Sequence, residues 1–99
     1  MARLLDDEEL SRQLGDLKEW SGDNSAISRK VEAPDFVTAI RILDAVAEVA
    51  EEMDHHPDMD VRWRNVTYTC STHSAGGVTQ LDIELAHRIN EIASEHGAS

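Results

Sequence analysis

Apolar residues recur at helical spacing in three stretches of the chain. The longest follows Pro34, where Asp35 can cap a helix, and it ends before Pro57, which disfavours helical geometry in the residue ahead of it. Its apolar stripe is broad enough to pack against a sheet and a partner subunit at once. The apolar positions of this helix are Val37, Ile40, Ile42, Leu43, Val46, Ala47, Val49, Ala50 and Met53.

Shorter helices are predicted near both ends of the chain. The first spans residues 6–17, where aspartates can cap the helix and leucines share one face. The last helix begins after Thr79, which forms a capping box with Asp82 in place of the usual glutamate. Its apolar pattern continues to about Glu95.

Alternating patterns predict strands between these helices. Residues 21–25, Ser-Gly-Asp-Asn-Ser, are the strongest turn signal, and they separate residues 17–20 from residues 26–32 in a predicted β-hairpin. Residues 61–64 and 66–71 alternate apolar with polar side chains, which is typical of half-buried structure and predicts two strands or one bent strand. The predicted order is α-β-β-α-β-β-α. This order implies a two-layer α+β fold, a four-stranded antiparallel sheet with helices on one face.

The length and net charge of the chain limit the classes of protein to which it can belong. Ninety-nine residues are expected to make one domain over residues 1–99, with one small core. The formal net charge of −11 argues against binding to nucleic acid or to an anionic membrane surface. No apolar run approaches the ~20 residues of a membrane-spanning helix, and the acidic start lacks a secretory apolar segment. We therefore expect a cytoplasmic protein, whose single Cys70 packs in the core and forms no internal disulfide.

Three of the five histidines lie where predicted elements end. His55 and His56 follow the long helix, and His73 follows the last strand, so a rigid scaffold could present all three at one site. Imidazole exchanges protons near neutral pH. Glu51 and Asp54 lie close in sequence and would stabilise a charged imidazole. These residues are candidates for acid–base chemistry.

The same residues also have structural interpretations. A histidine pair at a helix C-terminus can cap carbonyls and interact with the helix dipole. Three histidines with carboxylates could bind zinc, although their spacing lacks a helical i, i+4 pair or a cysteine pair. Asp82 is explained by the capping box, and Trp63 is either a core aromatic or a ring that lines a pocket. Ser71 near His73 has no evident third group for nucleophilic catalysis. The other two histidines are expected at the surface.

The spacing of these residues resembles the signature of the pterin-4a-carbinolamine dehydratases. The matching residues are Glu51-x3-His55-His56-Pro57-x5-Trp63-x9-His73-x8-Asp82. The resemblance covers nearly the whole chain, since Trp20, Gly76-Gly77 and residues 82–86 also match. It implies dehydration of 4a-hydroxytetrahydrobiopterin to quinonoid dihydropterin, the step that recycles tetrahydrobiopterin for aromatic amino-acid hydroxylases. It also implies that neither a metal nor an organic cofactor is required.

The resemblance implies roles for individual residues. His55 and His73 would transfer protons, His56 would orient the pterin ring or assist, and Glu51 would polarise a histidine. The pterin would be bound by Asp54, Trp63, Ser71, Thr72, Ser74 and Asp82. Departures from the family pattern bear on these finer contacts rather than on the histidines. They occur at Glu19, Val31, Ser74 and Leu81.

Partners are implied by the same resemblance. Family members form dimers or tetramers by joining sheets edge to edge and by packing helices, so we expect a homodimer or homotetramer. Some members also act as transcriptional coactivators, and some relatives act as assembly factors. The alternative function is therefore a non-catalytic interaction protein. Three histidines together with Glu51 favour the enzyme, because an interaction protein has no physical need for them.

Overall fold

The computed structural model describes residues 2–99, and its helices and strands follow one another in the predicted order. A short 3₁₀ turn, His73–Ala75, precedes the last helix. The bounds are α1 Asp7–Leu14, β1 Ser21–Asp23, β2 Ala26–Glu32, α2 Phe36–Met53, β3 Asp58–Arg62, β4 Asn65–Cys70 and α3 Gln80–Glu95. The predicted α+β fold class is therefore confirmed.

Each helix begins at a side chain that satisfies its first free backbone N–H groups. Asp6, Asp35 and Thr79 cap α1, α2 and α3, and Asp82 completes the predicted capping box of α3. The first helix is shorter than predicted, since it ends at Leu14. Of the helices that the structure describes, none combines the length and hydrophobicity that crossing a membrane requires.

The strands form one antiparallel sheet in the order β1-β2-β4-β3. In the two central strands, every second side chain is buried beneath α2 and α3, which pack against each other and against β4. The intervening residues, such as Ser28 and Thr67, are partly exposed. The buried positions are Ile27, Arg29, Val31, Val66, Tyr68 and Cys70. Helices cover one face of the sheet, as predicted.

The first strand lies later in the chain than the sequence predicts. Residues 17–20 are not in a strand, and β1 is formed by Ser21–Asp23, inside the predicted turn. Gly22 allows this, because its φ is +143° and a Cβ atom there would lie 2.2 Å from the carbonyl oxygen of Ala26. The apolar residues of 17–20 are buried in the core instead, which is why their pattern resembles a strand.

β3 is an edge strand that is exposed along its length, although the sequence predicts half-buried strands. Met59 and Val61 are 38% and 39% exposed, because this edge lies outside the area that the helices cover. Trp63 follows in the turn to β4 with a φ of +56°, and it is 67% exposed. The guanidinium of Arg64 lies 4.9 Å from the centre of its ring. Trp63 is therefore not a core aromatic.

The centre of the core contains two titratable side chains in their neutral forms. Tyr68 is fully buried, and burial raises the pKa of its phenol to about 12. Burial likewise raises the pKa of the Cys70 thiol, and the negative charges of Asp82 and Asp58 add to this effect. Cys70 is thus the inert core residue that the sequence predicts.

Tyr68 makes this burial measurable, because it is the one tyrosine of the chain. Because folding raises the pKa of Tyr68, the neutral phenol contributes fully to the free energy of unfolding below the ordinary pKa of about 10. The contribution is lost as the pH rises towards 12. We expect the near-ultraviolet absorbance of tyrosinate to appear with a midpoint near 12 in the native protein. In urea the midpoint should fall to about 10. A midpoint of about 10 in a chain that is still folded by circular dichroism would contradict the buried position.

Candidate functional site

The end of α2 directs two adjacent histidines to different environments. Asp54 adopts the left-handed conformation, with φ 49° and ψ 44°. The N–H of His55 donates to the carbonyl of Ala50 at 3.0 Å, and the N–H of Asp54 donates to that of Glu51 at 3.2 Å. This is the Schellman arrangement, in which backbone donors cap the helix without help from either imidazole. The chain then turns so that His55 is only 8% exposed, whereas His56 lies at the surface.

A buried carboxylate holds the ring of His55. Its Nε2 lies 2.5 Å from Oδ1 of Asp82, a residue that is fully buried. The second oxygen, Oδ2, accepts from the hydroxyl of Thr72 at 2.8 Å and from the backbone N–H of Thr79 at 2.9 Å. Because a carboxylate only accepts, Nε2 of His55 carries the proton in this contact. The other ring nitrogen, Nδ1, is therefore the one left for proton exchange.

Two threonine hydroxyls extend this network in a defined direction. The single hydrogen of the Thr72 hydroxyl points to Asp82, so the hydroxyl of Thr79, 2.7 Å away, donates to Thr72. The Thr79 oxygen in turn accepts from the backbone N–H of Leu81. Asp82 is therefore both the capping-box residue that the sequence predicts and the partner of His55.

His56 pairs with a glutamate at the protein surface. Its Nε2 lies 2.5 Å from Oε2 of Glu51, and the two side chains are 55% and 77% exposed. Exposed pairs of this kind contribute little to stability. The contact orients the ring of His56, so the partner of Glu51 is His56 and not His55.

His73 opens the 3₁₀ turn between β4 and α3. The ends of this turn are joined by backbone hydrogen bonds between Thr72 and Gly77, and Gly76 closes it with a φ of +80°. The imidazole is exposed and has no hydrogen bond within residues 2–99. Thr72 thereby links the segment of His73 to Asp82, and through it to His55.

The remaining predicted site residues divide into two groups. Asp54 and Ser74 are exposed beside the histidines in sequence, and the Ser71 hydroxyl donates to the carbonyl of Ser25 at 2.8 Å. Trp63 lies apart from them, at the opposite end of the β3–β4 hairpin. Four residue steps along β3 correspond to roughly 14 Å, so one chain alone does not bring Trp63 to the histidines.

The other two histidines lie outside this group. His87 is exposed on α3, as predicted, whereas the ring of His96 is half-buried and contacts the carbonyl of Ile92 at 2.8 Å. Within residues 2–99, no group of three or more His, Cys, Asp or Glu side chains could hold a metal ion.

Comparison with known proteins decides the family. The family described as "Pterin 4 alpha carbinolamine dehydratase" matches residues 3–92. The chain belongs to this family, which is one of hydro-lyases. It is 53% identical over 90 residues to a protein of Nocardia farcinica, a match that covers 91% of this chain and 95% of the relative. A relative from Roseiflexus castenholzii is 47% identical over 92 residues, covering 93% and 99%. Both relatives are provisionally named pterin-4-alpha-carbinolamine dehydratase.

Solved structures agree with the fold. A crystal structure from Brucella melitensis, described as a transcriptional coactivator/pterin dehydratase, has a TM-score of 0.87 and 37% identity and covers 90% of this chain and 97% of its own. A pterin dehydratase-like protein described as a RuBisCO assembly factor in the alpha-carboxysome has a TM-score of 0.62 and 20% identity, over 75% and 86%. The second likeness concerns the fold alone.

The hydrogen bonds to Asp82 can be tested by measuring the free energy of unfolding. Asp82→Ala removes the acceptor of three buried donors, and a buried donor left without a partner costs about 1–3 kcal/mol. Urea unfolding of Asp82→Ala should show this loss. Glu84→Ala, an exposed change two residues later on α3, should stay within about 0.5 kcal/mol of the parent. Equal effects of the two changes would contradict the network. Ring ¹⁵N spectra provide a second readout, in which His55 should carry its proton on Nε2.

Proposed function

We propose that this chain dehydrates a 4a-hydroxytetrahydropterin to a quinonoid dihydropterin by histidine acid–base catalysis. The supporting observation is that Asp82 fixes the tautomer of His55, while Thr72 connects the same carboxylate to the segment of His73. Two imidazoles on separate segments of the chain, one held and one free, suit a reaction that needs an acid and a base. Family membership supports this reaction type.

The reaction requires one proton donation and one proton removal, and each imidazole performs one of them. The substrate carries a hydroxyl group and a ring nitrogen on one carbon, so loss of water requires a proton for the departing hydroxyl and removal of the N–H proton. His55 acts as the base through Nδ1, because Asp82 stabilises the positive charge that the ring gains. His73 donates the proton to the leaving hydroxyl. His56, oriented by Glu51, holds the pterin ring.

The physiological setting follows from the same proposal. Quinonoid dihydropterin is the form that reduction returns to tetrahydrobiopterin, so the protein serves cofactor recycling for an aromatic amino-acid hydroxylase. It works as a single cytoplasmic domain, with neither metal nor organic cofactor. Asp54, Ser71, Thr72 and Ser74 surround the pterin at the histidine end of the sheet, partly through backbone groups.

Activity measurements test the assignment of the histidines. His55→Ala and His73→Ala should each lower kcat by about 10²–10⁴-fold, which is the usual contribution of a positioned acid or base. The matched control is His87→Ala, because that residue is exposed on α3 away from the site. The assay follows dehydration of enzymatically generated carbinolamine against the spontaneous rate. Full activity in the His55→Ala, His73→Ala double variant would exclude the mechanism.

The same measurements separate the enzyme from the alternative function, a non-catalytic interaction protein. The structure from Brucella melitensis is described by both activities, so the two functions are not exclusive in a relative. A chain that acts only as a coactivator or assembly factor would give no acceleration over the spontaneous reaction. It would also keep its partner in a pull-down after His55→Ala, since that ring is 8% exposed and offers little surface.

We also propose that the protein is a homodimer, or a tetramer of such dimers, joined through β3. This edge strand exposes Met59 and Val61 and its unpaired backbone groups, a combination that favours pairing with another strand. A two-fold axis near Asp60 would place Asp58 opposite the partner's Arg62, which pairs opposite charges. The same axis would carry the partner's Trp63 to the residues that precede Asp58, where the histidines lie. Trp63 would then contact the pterin of the neighbouring subunit.

Mixing two inactive variants tests this arrangement. His55→Ala and Trp63→Ala homodimers should each be impaired, but a mixed dimer contains one site with His55 and the partner's Trp63 both intact. After unfolding and refolding an equimolar mixture, about one quarter of all sites should be complete. Activity should therefore rise well above that of either variant. If Trp63 served its own chain, or served none, mixing would restore nothing, and a monomer by light scattering would contradict the dimer itself.

A further inference from the structure

A buried arginine, Arg29, lies on β2 and contacts Asn90 in the second half of α3. Arg29 projects from β2 beneath the helices and is only 8% exposed. Within residues 2–99, no carboxylate lies within 4.0 Å of its guanidinium, and it is paired in none of the ion pairs. Buried charges in proteins are normally paired or hydrogen-bonded to a full complement of partners. Arg29 therefore has unused capacity to bind an anion.

Within residues 2–99, the guanidinium of Arg29 makes one hydrogen bond, and this bond also orients a neighbouring amide. Nη1 of Arg29 donates to Oδ1 of Asn90 at 2.5 Å, and the indole Nε1 of Trp20 donates to the same oxygen at 2.8 Å. Indole and guanidinium nitrogens only donate, so the oxygen of Asn90 must face them. The amide nitrogen of Asn90 then points elsewhere, and it has no hydrogen-bond partner within residues 2–99.

These free donors border a cavity of about 510 Å³ between β2, the second half of α3 and the last residues of the chain. Arg29, Asn90 and Ser94 all line it, and each of these side chains carries a hydrogen-bond donor. Glu19 also lines the cavity, as does Ser99 at the end of the sequence, and neither of these carboxylates forms an ion pair with Arg29. The complete lining is Glu19, Arg29, Asn90, Ser94, Ala98 and Ser99.

We propose that this cavity binds a small organic anion through a phosphate or carboxylate group held by Arg29. Guanidinium matches such oxyanions with paired N–H donors, and the Asn90 amide and the Ser94 hydroxyl complete the set. The volume exceeds that of a bare oxyanion and falls in the range of small-molecule sites, so the charged group belongs to a larger molecule. Eight residues along α3 separate Asn90 from Asp82, about 12 Å, so this site is distinct from the histidines.

Titration of ¹⁵N-labelled protein without any pterin tests the site independently of the proposed dehydratase activity. Inorganic phosphate and citrate serve as the two probes, with sodium chloride holding the ionic strength constant. The Nε–H signal of Arg29 and the side-chain amide of Asn90 should shift and saturate. Saturation with phosphate alone or citrate alone identifies the preferred oxyanion, and either result supports the site. Shifts that do not saturate, or that chloride reproduces, would overturn it.

Variants show whether Arg29 is responsible. Arg29→Met should weaken the binding of the preferred probe by at least about tenfold, because a hydrogen bond to a charged group is lost. Arg88→Met, an exposed change on α3, should leave it unchanged. Since loss of Arg29 can also impair folding, Ser94→Ala provides a second variant at an exposed position. It should weaken binding about twofold to tenfold in a fully folded protein. Unchanged affinity in both Arg29→Met and Ser94→Ala would contradict the proposal.

Discussion

The buried contact between His55 and Asp82 is the constraint on which the candidate site depends. It joins the end of α2 to the start of α3, and Thr72 adds the end of β4 to the same carboxylate. Removing a carboxylate from water is costly, and the three donors around Asp82 offset that cost only in one arrangement of these segments. The stability of the three segments around Asp82 and the orientation of the His55 imidazole therefore have the same physical origin.

Local chemistry explains which parts of the fold could be predicted from the sequence. The caps at Asp35 and Thr79, the long apolar stripe and the break before Pro57 each depend on residues within a few positions of one another. The hairpin was predicted, but its first strand was placed too early in the chain, because Leu17 and Trp20 are buried without being in a strand. β3 was predicted as a strand, but its exposure depends on where the helices end, which no local pattern records.

In the candidate site, too, local features were predictable from the sequence and long-range contacts were not. Three histidines at element ends were identified from the sequence, and so was the capping role of Asp82. The contact between Asp82 and His55 spans 27 positions, and it was outside the reach of spacing rules. Arg29 was missed for a related reason, since a single arginine in an alternating strand resembles an exposed one until the register places it on the covered face. Its position between Ile27 and Val31, on the apolar face of the alternating strand, was the available signal.

Two buried charges, Asp82 on α3 and Arg29 on β2, also illustrate why net charge is a poor guide to local binding. A formal charge of −11 spread over exposed helix faces is screened by water and salt, and it acts mainly on large polyanions. Inside the protein the balance differs, because Asp82 is surrounded by donors whereas Arg29 has one neutral acceptor. The first charge is compensated by the chain itself and can serve to position His55. The second keeps donors that its one protein acceptor does not use, and in our proposal these donors hold an anion, so an acidic protein can still hold a site that selects anions.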